Sequence, residues 1–473
     1  MKEYPIYVAG QFRRTDKPLE VCAPHDGQVF ARTWLAGAAE LEEAIGAAEV
    51  AREPLADLPG YERSRLLALV ADGLEARRGE LALDLAREAA KPLRYALGEL
   101  DRAIQTFRVA SEECRRLPDE LLSLDWTPAG QGREGIVRHF PLGLVAGIAP
   151  FNFPLNLAVH KIAPALAAGC PIVLKPARKT PLSVLNLAQV LHAVGWPAGS
   201  VSILPMDRQA GDQLVTDPRF HLLSFTGSPQ VGWDLKARAG KKKVALELGG
   251  NAGTIVAQSA ELDWAVARCL VGAFAYSGQV CIHAQRIYVH ESLFEEFARR
   301  FVEGAQRLRA GDPLDEQTEI AAMIDHENAS RVQEWVDEAV GQGARLLCGG
   351  KAQGSYFPPT VLTDTLRGMK VCCMEVFGPV AVLERFSDFG QALDWVNDSD
   401  FGLQAGLFTD SQRELDLAFR RLRVGGLVHN DSPIFRVDHM PYGGLKDSGL
   451  GREGVRYAMR EMMEPRLLVK SRF

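Results

Sequence analysis

Between residues 142 and 258 short apolar runs alternate with amphipathic stretches, and this alternation narrows the possible folds more than any other feature of the chain. The runs LGLVAGIAP, CPIVLKPA, VSILP, HLLSFTGS, KKVALELGG and AGTIVAQ read as strands, with helical patterns between most of them. Strands of this kind, separated by helices, build a parallel sheet covered by those helices. After Asn251 the pattern starts again. Helices are expected near 263–277, 292–309, 327–342 and 411–421, and strands at RIYVH, ARLLCGG, VAVLERF and GGLVHN, which makes a second α/β domain. The chain has 473 residues, more than one core usually holds. Residues 38–116, rich in Ala, Leu, Glu and Arg and punctuated by Pro54, Pro59 and Pro92, read as helices packed on one face of the first sheet. Residues 117–138 and the tail 462–473 fit neither domain, and the tail pattern EPRLLVKSRF suits a strand added to another chain.

Composition sets limits on function. A net charge of -6 argues against nucleic acid as a partner. The first eleven residues lack a basic region followed by an apolar run, and no apolar stretch reaches the roughly 18 residues of a membrane span, so a cytoplasmic protein is expected. The eight cysteines show no CxxC pair and no zinc-like spacing, so no metal is expected and the thiols are read as reduced. The neighbours Cys372 and Cys373, taken as lying on a strand, would face opposite ways and play a structural part.

Two short runs carry chemistry. Cys281 lies in Ser277-Gly278-Gln279-Val280-Cys281-Ile282, and Glu247 in Leu246-Glu247-Leu248-Gly249-Gly250-Asn251, each among glycines and small residues that leave room for a substrate and a flat cofactor. A thiolate attacks carbonyl carbon, and a carboxylate at a strand end can serve as its base. In Ala149-Pro150-Phe151-Asn152-Phe153-Pro154, Asn152 is either an oxyanion donor or a turn former. The run Phe225-Thr226-Gly227-Ser228 with Gly232 follows a strand and opens a helix; it is either an anion-binding turn or a plain turn capped by Ser228. Lys175 ends a strand, where it can meet ribose or phosphate or simply be solvated. Glu375 and Phe377 precede Gly378-Pro379 and either hold a ribose and a ring or close a loop.

With these six motifs together, the chain resembles the NAD(P)-dependent aldehyde dehydrogenase superfamily from about Val21 to its carboxyl end. The resemblance implies an α/β fold with a Rossmann-type cofactor domain (1–117 and 139–248), an α/β catalytic domain (249–453) and a small bridging β element for oligomerisation (118–138 and 454–473). It implies Cys281 as nucleophile, Asn152 with the Cys281 amide as oxyanion hole, and Glu247 as general base. Lys175, Arg178, Gly227, Ser228, Gly232 and Leu248 are assigned to the cofactor, with Glu375 and Phe377 at the nicotinamide ribose. Thiolate attack would give a tetrahedral adduct, hydride would pass to the nicotinamide, and Glu247 would activate water against the remaining thioester. A homodimer or homotetramer is implied as well.

Two departures refine the reading. NAD-preferring relatives often carry a glutamate where this chain has Arg178; a guanidinium attracts a 2′-phosphate, so NADP is favoured over NAD. The run from Asn430 to Gly449 looks like the branch acting on lactaldehyde, phosphonoacetaldehyde and, without phosphorylation, glyceraldehyde 3-phosphate. Arg436, His160 and Arg108 are expected to converge on one pocket for a small aldehyde with an anionic or strongly polar tail; the alternative is a core histidine and ordinary ion pairs. Val280, where some phosphate-recognising relatives have arginine, keeps a neutral hydroxyaldehyde open. His283 is close to Cys281 in sequence but need not face it. The rival readings are cofactor-independent ester hydrolysis or acyl transfer by Cys281 and Glu247, and a non-catalytic binding protein on the same scaffold.

Overall fold

The computed structural model describes residues 1–117 and 119–471. Its first sheet has eight strands, in the spatial order Gly449–Leu450, Lys243–Glu247, Phe220–Thr226, Leu144–Ile148, Ile172–Lys175, Val201–Ile203, Ile6–Val8 and Gln11–Arg13. The five central strands are parallel, and antiparallel pairs close both edges. Side chains of alternate residues leave these strands toward two different cores. Val145, Ile172 and Leu174 enter one, and Leu144, Ala146 and Val173 enter the other. That is why the strands read as continuous apolar runs rather than as alternating ones.

The helices of residues 38–116 do not all lie on one face. Leu41, Ala44, Ile45 and Ala48 of the Ala38–Ala56 helix pack into one core, whereas the Gly60–Ala76, Arg78–Ala89 and Leu93–Glu113 helices fill the other. The break falls at the Pro59 turn, and a sheet buried on both sides needs cover on both. From Leu144–Ile148 the chain runs to Ile172–Lys175 on one side and to Phe220–Thr226 on the other. This reversal of strand order opens a crevice beyond the carboxyl ends, where Asn152, Lys175, Ser228 and Glu247 all emerge.

The second sheet has seven strands: Arg345–Cys348, Thr360–Thr363, Val380–Phe386, Ala284–His290, Ala252–Val256, Gln404–Phe408 and Gly426–His429. Only the first pair is antiparallel. The AGTIVAQ run therefore belongs to this sheet, although its apolar character continues that of the strands before it. The Thr360–Thr363 and Gln404–Phe408 strands and the Phe389–Asn397 helix were not singled out by the sequence pattern. Cys372 and Cys373 sit on the short Lys370–Cys373 helix, not on a strand; Cys372 is buried and Cys373 exposed.

A third sheet joins Met463–Ser471, Arg133–Pro141 and Glu120–Ser123. The tail thus pairs within its own chain, with Leu467 opposite Val137, and leaves Leu467, Leu468 and Val469 about half exposed. The Val455–Glu461 helix, assigned from sequence to the same element, instead buries Val455 and Met459 in the core of the first domain. Pro118, Arg472 and Phe473 lie outside the described residues. Among the described residues no helix is long and apolar enough to cross a membrane, and no group of His, Cys, Asp and Glu is placed to hold a metal ion.

Candidate active site

Cys281 follows a strained turn. Tyr276, Ser277 and Gly278 all have positive φ, at 49°, 53° and 66°. Only glycine adopts this region at no steric cost, and a Cβ on Gly278 would stand 2.1 Å from the Gly378 carbonyl oxygen. Tyr276 and Ser277 are held there by distant backbone: Tyr276 Oη donates to the Ala89 carbonyl at 3.1 Å, and Ser277 Oγ to that of Ala321 at 2.7 Å. The Gln279 side chain accepts from the Ile324 amide at 2.9 Å, and its backbone carbonyl accepts from Asn152 Nδ2, also at 2.9 Å. Asn152 is therefore anchored two residues before the thiol, with one N–H of its amide used and one left.

The loop that carries Asn152 rests on a buried cation. Lys91 Nζ donates to the Asn152 carbonyl at 2.6 Å, pairs with Glu99, and lies 3.8 Å and 4.3 Å from the ring centroids of Phe153 and Tyr276. Glu99 in turn accepts from the Leu155 and Asn156 amides at the start of the Pro154–Ala168 helix, satisfying donors that have no partner within the helix.

Glu247, the last residue of its strand, is buried, and its Oε2 has no hydrogen-bond partner among the described residues. Burial, and after it the charge of Glu453, raises the Glu247 carboxyl well above the ordinary carboxylate range. Burial alone would also raise Glu453, but Lys161 and Arg436 bring it down to about 2. Its two oxygens accept from Lys161 Nζ at 3.2 Å and from Arg436 Nη2 at 2.8 Å. Lys161 continues to Thr226 Oγ1 at 2.7 Å, on a central strand of the first sheet. Burial pushes the Cys281 thiol up to about 11, opposed mainly by its 3.0 Å contact with Tyr442 Oη. His283 is buried and held down to about 4, and it makes no hydrogen bond to Cys281.

The polar cluster around Asp438 differs from the sequence reading in one residue. His160 Nε2 lies 2.8 Å from Asp438 Oδ1, so the proton sits on Nε2, and the buried Nδ1 has no partner among the described residues. Burial, then the Arg436 charge, lowers the His160 pKa and keeps the ring neutral. Arg436 Cζ stands 3.6 Å from the Tyr442 ring centroid, and its buried Nε has no partner among the described residues. Arg108 does not join them. Its guanidinium is bound to Glu75 and Asp72 on the outer side of the neighbouring helix, half exposed. Arg102, six residues earlier on the same helix, is the one that reaches in, donating to Asp438 Oδ1 at 2.7 Å.

Along the crevice, Lys175 and the exposed Arg178 have no ion pair or hydrogen bond through their side chains among the described residues. Burial, and after it the like charge of Arg178, lowers the Lys175 pKa. Ser228 occupies the N-cap of the Pro229–Arg238 helix without its hydroxyl capping it. Gly232 lets Leu248 pack over that helix, since a Cβ there would meet Leu248 Cδ2 at 2.4 Å. Gly227 donates its amide to the Glu247 carbonyl at 3.1 Å. Glu375 accepts from the Gly250 amide at 2.9 Å, and burial lifts it to about 7. Phe377, at φ 47°, meets Phe151 edge-on at 5.8 Å. Unpaired cations, a free helix amino terminus and a carboxylate beside glycines suit a dinucleotide.

The pattern of the aldehyde dehydrogenase family matches residues 12–468. The chain belongs to the aldehyde dehydrogenase family. This aldehyde dehydrogenase is 41% identical over 470 residues to the 3-sulfolactaldehyde dehydrogenase of Priestia aryabhattai, covering 99% of this chain and 98% of that one. Its fold matches aldehyde dehydrogenase 21 from Physcomitrella patens, solved with the reaction product succinate, with a TM-score of 0.98 and 44% identity over 99% of this chain and 98% of that one. It also matches glyceraldehyde-3-phosphate dehydrogenase GapN from Methanocaldococcus jannaschii, complexed with NADP, with a TM-score of 0.92 and 37% identity over 97% and 100%. The protein is an NAD(P)-dependent aldehyde dehydrogenase.

Sequence reasoning missed five side chains of this aldehyde dehydrogenase that the structure places at the site: Arg102, Lys161, Asp438, Tyr442 and Glu453. Tyr442 carried a usable signal, an aromatic wedged before Gly443 and Gly444. The other four are ordinary charged residues whose partners come from far along the chain.

Proposed function

We propose that the enzyme oxidises a small aldehyde with an anionic tail, such as a sulfo- or phospho-hydroxyaldehyde or a semialdehyde, to its carboxylic acid, using NADP in preference to NAD. The observation that carries this reading is the place of Arg436: its guanidinium lies 3.6 Å from the ring of Tyr442, whose hydroxyl touches Cys281, and its Nε is buried with no partner among the described residues. A buried guanidinium N–H recovers its desolvation cost by meeting an anion. The bare Nδ1 of neutral His160 can accept from a substrate hydroxyl. The names of the relatives support the same chemistry.

In this reading the Cys281 sulfur bonds to the aldehyde carbon while the free N–H of Asn152 meets the oxygen that gains charge. Lys175, Arg178, Ser228 and Glu375 would hold the dinucleotide, with Gly227, Gly232, Leu248 and Phe377 shaping its bed. When bound, NAD(P)+ supplies the acceptor for the hydride lost from carbon. Glu247 then takes a proton from water attacking the thioester. The exposed apolar strand at Leu467, Leu468 and Val469 supports assembly into a dimer or tetramer, and a cytoplasmic location completes the proposal.

Absorbance growth at the reduced-nicotinamide band tests this directly. Sulfonate-, phosphate- or carboxylate-tailed aldehydes are expected to exceed propanal in kcat/KM by about 100-fold, the worth of one or two charge-assisted hydrogen bonds. Equal values for all would remove the anion pocket. Arg178→Glu is expected to lower kcat/KM with NADP by roughly 100-fold and to spare that with NAD, because a carboxylate repels the 2′-phosphate and accepts from free ribose hydroxyls. An unchanged cofactor ratio would mean that Arg178 only meets solvent.

A further inference from the structure

Tyr442 has no part in the scheme above, yet its hydroxyl is in hydrogen-bond contact with the sulfur of the proposed nucleophile. Oη lies 3.0 Å from Cys281 Sγ, and the residue is buried. Its place is fixed from two sides. The Tyr442 amide donates to the Glu453 carbonyl at 3.0 Å and the Glu453 amide donates back at 2.6 Å, while the Arg436 guanidinium lies 3.6 Å from the ring centroid.

We propose that Tyr442 is a positioning residue whose hydroxyl donates a hydrogen bond to the Cys281 thiolate, easing ionisation of the sulfur and aiming it at the aldehyde. This rests on Cys281 being the nucleophile. The direction of the bond follows from the surroundings. Burial, chiefly, keeps the phenol protonated far above its ordinary range, so it still has a proton to give wherever the thiol has lost its own. The charged and titratable groups facing Cys281 divide into two sets. Tyr442 and Arg436, from the segment before Gly443-Gly444, favour the thiolate; Glu375, beyond the Lys370–Cys373 helix, and Glu247, at its strand end, oppose it. With two carboxyl groups and burial working against ionisation, removal of the hydroxyl takes away the strongest of the favourable influences.

The test is Tyr442→Phe in the full-length enzyme, which keeps the ring, its packing and the contact with Arg436. Alkylation of the cofactor-free enzyme by iodoacetamide is followed against pH, and peptide mass mapping locates the label. We expect the midpoint of the Cys281 alkylation profile to move up by about one unit or more, with about tenfold slower labelling near neutral pH. Quenching of tryptophan fluorescence by NADP should be as in the parent enzyme, which shows that the variant is folded. The pH profile of p-nitrophenyl acetate hydrolysis, which also begins with attack by the thiolate, should shift by the same amount. Unmoved profiles, or profiles moved downward, would show that the hydroxyl only accepts from the thiol, and the proposal falls. The exposed Cys22 and Cys373 take label in any case; if Cys281 takes none in the parent enzyme, the nucleophile assignment itself fails, a result distinct from any effect of Tyr442.

Discussion

Cys281→Ser is expected to lose aldehyde oxidation by on the order of 10⁴-fold or more while binding NADP as tightly as the parent. The serine hydroxyl fits the space of the thiol, so the Ala89 and Ala321 anchors of the turn are undisturbed. What is lost is a group able to attack carbonyl carbon as an anion. Glu247→Gln separates the second half of the reaction from the first. It should still release about one equivalent of reduced cofactor in a burst and then turn over slowly, because the thioester forms and water is not activated. The pH dependence has a definite sign. Glu247 acts as a base only when ionised, and burial with the Glu453 charge raises its pKa. Thioester hydrolysis in the parent enzyme should therefore rise with pH through a midpoint well above the ordinary glutamate value, and stopped-flow burst amplitudes should be most distinct at low pH. A Glu247→Gln enzyme without a burst, or a parent with flat hydrolysis between pH 5 and 8, would remove the base assignment.

Arg436→Leu is expected to raise KM for an aldehyde with an anionic tail by about 10- to 100-fold and for propanal by only a few-fold. The substitution has a second effect that follows from geometry. Glu453 loses its 2.8 Å partner and keeps only Lys161, and Glu247 loses a cation that favours its ionised form. The pH midpoint for thioester hydrolysis should thus move upward with both substrates. Arg436→Lys, which restores charge without the planar fork, should recover the pH midpoint more fully than the KM. Identical KM changes for charged and uncharged aldehydes would mean that Arg436 serves only to fix Glu453.

The elements that were legible in the sequence are those whose neighbours impose one demand along their whole length. The central strands of the first sheet are apolar on both faces, so LGLVAGIAP and HLLSFTGS announce themselves. The split of the 38–116 helices between two faces was hidden, because a helix shows which of its own sides is apolar but not which core that side meets. Cys281, Glu247 and Asn152 stood out because their small and rigid neighbours are unusual locally. Arg108 and Arg102 were indistinguishable by composition. Six residues along a helix are roughly 240° around its axis, so one points to Asp438 and the other to Glu75 and Asp72. Choosing between them needs the position of Asp438, more than three hundred residues away.

The turn before Cys281 is pinned by carbonyls at Ala89 and Ala321, far apart in the chain, and its glycine fits beneath Gly378. Strands can pair in both sheets before these anchors meet the turn, which leaves the sulfur unaimed. Turnover becomes a reporter of assembly: on refolding from denaturant, regain of activity should trail regain of helical circular dichroism, since Cys281 is aimed only once both anchors are in place.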